Sequence, residues 1–134
     1  MPRKLLRALS RMLRSARADW KRFQEYGFLS ECEARGLSLL KEWLSPEQLA
    51  QYNAHKHFDV TGSYTGKRYR IRHGNGMNIY ELDCCGRPIA GWCFVPKDDL
   101  VAGDVMLAQK IALETNERIA LLVAKSFPPR WRRA

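Results

Sequence analysis

Histidines, cysteines and clustered acids are the residues in this chain whose side chains most often do chemistry. His55-x-His57, with His73 farther on, is the whole histidine set. Imidazoles so placed are the raw material of a metal site. The strand pattern argues against one. If Phe58 pairs opposite Ile71, His73 shares the side of Ile71, and His57 faces the other way. The four cysteines, Cys32, Cys84, Cys85 and Cys93, contain no Cys-x-x-Cys pair, so zinc-ribbon and thioredoxin readings lack their ligands. Adjacent Cys84 and Cys85 cannot close an unstrained bridge, and reduced thiols are expected. Cys93, between Trp92 and Phe94, reads as a small core residue. Asp98, Asp99 and Asp104 gather before a helix, where its dipole favours acids. Gly74-Asn75-Gly76 is a turn, because a strand follows it where a phosphate loop needs a helix. These residues assign no catalytic group, no metal ligand, no cofactor and no small-molecule substrate, and they point away from an enzyme.

Cations carry the stronger signal. Of a net charge of +9, residues 1–26 supply +6, from eight Lys/Arg against two acids, and residues 128–134 supply +3. Between them the charges cancel. A neutral body with two cationic ends expects an anionic partner. Three divisions follow: a basic amphipathic helix over 1–26, one domain over 27–127 and a basic tail over 128–134.

At about 100° per residue the first segment separates into two faces. Leu5, Leu6, Leu9, Met12, Leu13, Ala16, Trp20 and Phe23 share an arc of about 120°. Arg3, Lys4, Arg7, Arg11, Arg14, Arg17, Lys21 and Arg22 occupy the opposite side. Pairs such as Arg7/Arg11 and Arg14/Arg17 repel by a few tenths of a kcal/mol each, and no acid on that face relieves them. Helix stability alone does not call for such a face. Four uses stay open: a docked helix with a solvated face, phosphate contacts to DNA or RNA, insertion in an anionic membrane surface, and contact with an acidic protein partner. The Arg-rich, acid-poor start also has the composition of an organellar transit peptide. No apolar run approaches the roughly 18–20 residues that span a bilayer, and no signal-peptide core follows the basic start.

The remaining elements must position these groups. A second helix is expected over about 30–43, with a stop before it at Gly27. Gly36 marks a close crossing or a break in that helix. Ser45-Pro46-Glu47-Gln48 has the spacing of a capping box and predicts a helix to about Ala54. Strands are predicted over 58–62, 67–73, 77–82 and 88–95, joined by Thr65-Gly66, Asn75-Gly76 and Cys85-Gly86 turns. Alternation sends Tyr69 and Ile71 one way and Arg68, Arg70 and Arg72 the other, over about 13 Å. Those arginines either track phosphates or pair with Asp59, Glu81 or Asp83. Asp104 reads as the cap of a helical region over 104–126 with a break at Thr115-Asn116. Its buried side would hold Val105, Leu107, Ala108, Ile111, Ala112, Ile119, Leu122 and Val123. Pro128-Pro129 ends it, and Arg130, Trp131, Arg132 and Arg133 interleave cations with an aromatic ring.

The stretches Thr65-Gly66-Lys67-Arg68-Tyr69-Arg70-Ile71-Arg72 and Gly103 to Glu114 resemble a group of small, uncharacterised bacterial proteins. The resemblance covers residues 58–125 and implies a bacterial, intracellular protein, with no activity attached. The whole reads as an α+β protein with N-terminal helices, a four-stranded antiparallel meander and a C-terminal helical segment packed on the sheet. Its expected function is non-enzymatic binding of a polyanion in the cytoplasm, DNA or RNA first, through phosphate contacts without base readout. A peripheral membrane protein anchored by the same helix is the alternative.

Overall fold

Helix α1 runs unbroken from Pro2 to Trp43, through the Gly27 at which a stop was expected. One interior glycine costs about 1 kcal/mol relative to alanine. Ending a helix there leaves up to four N–H and four C=O groups to find other partners, and no proline forces the issue. The computed structural model describes residues 2–129, with side chains described for 3–17 and 30–129. The chain forms two compact units, Met1–Ala34 and Arg35–Ala134.

In the second unit, Ser45 starts helix α2 (Pro46–His55) with a complete capping box. Ser45 Oγ accepts from the Gln48 amide at 3.2 Å, and Gln48 Oε1 accepts from the Ser45 amide at 3.0 Å. The helix ends at Lys56, which takes the left-handed conformation (φ 58°) and turns the chain into a sheet. Its strands are β1 (His57–Thr61), β2 (Arg68–Arg72), β3 (Ile79–Leu82) and β4 (Pro88–Cys93), followed by helix α3 (Ala102–Val123) and strand β5 (Lys125–Phe127). Strand order is β1-β2-β3-β4-β5, antiparallel throughout. The expected register is present: Phe58 lies opposite Ile71 and Val60 opposite Tyr69.

The α+β class is as expected, but the sheet has five strands where four were predicted. The helix stops at Val123, short of 126, and Phe127 pairs with Gly91. Gly91 makes this possible, since a Cβ there would overlap the Phe127 ring. That ring then meets Tyr80 edge-on at 5.7 Å.

The core fills one face of the sheet. Phe58, Val60, Tyr69, Ile71 and Ile79 pack with Leu40, Leu44, Tyr52, Met106, Leu107, Leu113 and Ala120. Gly36 and Gly103 mark a close crossing, where a Cβ on Gly103 would overlap the backbone of Gly36. Helix α3 breaks at Asn116 (φ −152°, ψ 51°) as predicted. Two other expectations for this helix need correction. Its N-cap is Val101, without a side-chain cap bond, and Asp104 sits inside the first turn. Its buried side holds only part of the apolar set expected: Val105 and Leu107 are buried and Ala108 and Ala112 half-buried, but Ile111, Ile119, Leu122 and Val123 are exposed while Gln109 and Glu117 are buried. Hydrogen bonding explains the exchange. Gln109 and Asn78 join side-chain amides reciprocally at 2.9 Å, with further bonds to the carbonyls of Phe94 and Arg72. Polar groups so completely partnered lose most of the penalty of burial.

Candidate functional site

The two described sets of cations meet opposite surroundings. In β2, Arg70 donates Nε to Asp59 Oδ1 at 2.9 Å and Nη2 to Oδ2 at 3.2 Å, while Arg68 reaches the same carboxylate at 3.3 Å. Lys67 pairs with Glu81 at 3.1 Å. Arg68 also borders a cleft of about 540 Å³ whose walls carry three carboxylates, those of Glu47, Asp59 and Glu114. Acids outnumber the cation there, which disfavours a polyanion. Arg72 differs, having no carboxylate partner among the described residues; its guanidinium lies 5.8 Å from the Tyr80 ring centre. The strand therefore divides. Arg68 and Arg70 take the pairing with Asp59 that its register allows, and Arg72 keeps its charge.

In α1, Arg3, Lys4, Arg7, Arg11, Arg14 and Arg17 are all exposed and make no ion pair among the described residues. The apolar stripe is exposed as well: Leu5 66%, Leu6 63%, Leu9 49%, Met12 69% and Leu13 63%. An amphipathic segment whose two faces both meet solvent is unusual for a finished surface. The side chains of Lys21, Arg22, Trp20 and Phe23, and all of Arg130, Arg132 and Arg133, lie outside the described residues.

The three histidines lie within the second unit. His55 and His57 stack at 5.3 Å, and His73 Nδ1 lies 3.0 Å from the Tyr52 hydroxyl. No group of three or more His, Cys, Asp or Glu among the described residues is placed to hold a metal ion. All four cysteines are free. Cys84 and Cys85 are exposed in the β3–β4 turn with sulfurs 3.9 Å apart, and Cys93 is half-buried.

Sequence reading missed Glu117 entirely. It follows the Asn116 break, is 1% exposed, and accepts four hydrogen bonds. The Tyr64 and Thr65 amides donate to Oε1 at 3.0 and 2.8 Å; the Thr65 and Tyr69 hydroxyls donate to Oε2, each at 2.5 Å. Burial pushes its pKa up, but these donors outweigh burial and hold the carboxyl down at about 2. The Tyr69 phenol moves the other way, raised by burial and by the adjoining carboxylate. The arrangement clamps the β1–β2 loop to α3. Gly62 completes the fit, because a Cβ there would overlap the carboxylate. A satisfied carboxylate with so low a pKa is a poor proton carrier near neutral pH, and its role is structural. A break signal at Asn116 followed by an acid was the one available hint.

Comparison with protein-family models, with curated proteins and with solved structures gave no match.

Proposed function

We propose that this chain is a peripheral membrane-binding protein whose segment 3–17 lies in the interface of an anionic bilayer. Leu5, Leu6, Leu9, Met12 and Leu13 enter the acyl boundary, and Arg3, Lys4, Arg7, Arg11, Arg14 and Arg17 meet lipid phosphates. The exposure of that apolar stripe carries the reading. DNA or RNA, the first expectation from charge alone, would use the cations and leave five large apolar side chains in water. A lipid surface uses both faces. Fully burying a Leu or Met side chain is worth about 1.5–3 kcal/mol, and each Lys or Arg near an anionic surface about 1 kcal/mol. Each face therefore supplies several kcal/mol. Among the described residues no helix is long and apolar enough to cross a membrane, which agrees with lying on the surface.

Flotation of the full chain with phosphatidylcholine vesicles, with and without phosphatidylserine, tests this. The chain should float with the anionic vesicles and lose that binding in the Leu9→Glu, Leu13→Glu double variant. Unchanged flotation of that variant overturns the proposal, as does a wild type that binds duplex DNA and ignores vesicles.

A further inference from the structure

Where α2 runs into β1, the second unit has a cleft of about 330 Å³ with no acidic residue in its walls. His55, Lys56, Arg72, His73, Asn78 and Tyr80 line it. That volume is at the small end of ligand sites, which run from about 300 to 1,000 Å³.

The cations here are held without being neutralised. Arg72 rests on the Tyr80 ring at 5.8 Å, and Lys56 lies 5.2 Å from the ring centre of Tyr52. A ring positions a cation through its quadrupole and leaves the full charge available, whereas Arg68 and Arg70 share the counter-charge of Asp59. The rings are themselves fixed: Tyr52 is 1% exposed and Tyr80 8%. Lys56 is also held by its backbone. Its amide donates to the Tyr52 carbonyl at 2.9 Å, and its carbonyl accepts from the His73 amide at 2.9 Å.

The imidazoles add donors. Burial keeps the Tyr52 phenol protonated well above neutral pH. Its hydroxyl lies 3.0 Å from His73 Nδ1, and in the tautomer that accepts from the phenol, Nε2–H is the remaining donor of that ring. Next to the cleft, the His57 pKa is lowered, first by burial and then by the positive charge of Arg70, His55 and Arg72, with Asp59 opposing.

We propose that this cleft binds a phosphate group carried by a small ligand or a lipid headgroup. Cations and imidazoles from separate residues on the walls of one cleft suit a multiply charged anion with several acceptor oxygens. A planar monocarboxylate would satisfy fewer of them. A phosphate held in the cleft would take charge-assisted bonds from the Lys56 and Arg72 side chains that line it. The site lies wholly within the second unit, so it does not depend on the membrane reading of α1.

Calorimetry and amide-resolved NMR on the full chain, titrated with inorganic pyrophosphate, test the proposal. Binding should shift the resonances of residues 55–57, 72, 73 and 78. The Lys56→Asn, Arg72→Gln double variant should weaken binding at least tenfold. Asn tolerates the left-handed backbone at 56, which protects the fold. Arg68→Gln, which removes an arginine already paired with Asp59, should leave affinity within about twofold. Soluble pyrophosphate binding that survives Leu9→Glu, Leu13→Glu shows the cleft acting independently of α1. A further titration with phosphatidylcholine vesicles containing phosphatidic acid, in that same background, separates a headgroup from a free phosphate. The proposal is overturned if pyrophosphate at millimolar concentration causes no shifts in the cleft, if the shifts lie elsewhere, or if the Lys56→Asn, Arg72→Gln variant binds as the wild type does.

Discussion

Segment 3–17 and strand β2 carry the same side chain under opposite conditions. In β2 the sheet register sets Asp59 directly across from Arg70, and one carboxylate holds two guanidinium groups. In segment 3–17 six basic residues share a face with no acid in reach, and the apolar face behind them is equally bare. Arginine content alone therefore says little about binding. What matters is whether the fold has already supplied a counter-charge. Arg72 stands between the two cases, in the same strand as Arg68 and Arg70 but supported by a ring.

Charge reversal should separate the two regions most sharply. Arg7→Glu, Arg11→Glu, Arg14→Glu should cut binding to phosphatidylserine vesicles by about 1,000-fold or more, since each reversal loses roughly 1 kcal/mol of attraction and adds repulsion. The melting temperature of the second unit should not change. Appreciable residual flotation, or a fall in the melting temperature, would show that the two regions do not differ in this way.

Removing carboxylates should do the reverse. Glu117→Ala leaves four donors without their acceptor and should destabilise the second unit by about 3 kcal/mol or more, measured by urea unfolding. The pH dependence has a definite sign. The carboxyl of Glu117 falls from an ordinary value of 4.5 to about 2 on folding. Its contribution is complete above about pH 4.5 and is lost as pH drops from there toward 2. Denaturation midpoints should fall across that window in the wild type and flatten in Glu117→Gln. A wild-type midpoint that is level from pH 5 to 2 rules out the low pKa.

Asp59→Ala is a smaller change, because the Arg68 side chain is 49% exposed and that of Arg70 26%, so both can turn to water. A loss of about 1–2 kcal/mol is expected, with vesicle binding unaffected. If Asp59→Ala raised vesicle binding strongly, the β2 arginines would be a suppressed site of the same kind as segment 3–17. Ser45→Ala, which removes one half of the capping box, should cost about 1 kcal/mol and serves as a baseline for a purely local defect.

Local features were legible in the sequence wherever a short stretch contained its own partner. The capping box needs only Ser45 and Gln48. The β1–β2 register needs only the alternation of Phe58 and Val60 against Tyr69 and Ile71. The break in α3 needs only Thr115-Asn116. The amphipathic division of residues 3–17 follows from helical geometry alone. Errors arose where the deciding partner was distant. Strand β5 depends on Gly91, thirty-six positions before Phe127. The burial of Glu117 depends on a loop at 62–67, and that of Gln109 on Asn78. In α3 those bonds outweighed hydropathy and left Ile119, Leu122 and Val123 in solvent.

By itself, then, the sequence determined which residues could form helices and strands and where positive charge accumulates, because both depend on neighbours a few positions apart. Tertiary structure alone decided which of those charges are cancelled. Arg70 and Arg72 are two residues apart on the same strand face, yet one meets a carboxylate and the other a phenol ring. Electrostatic fate depends on distances across the sheet, and folding creates those distances.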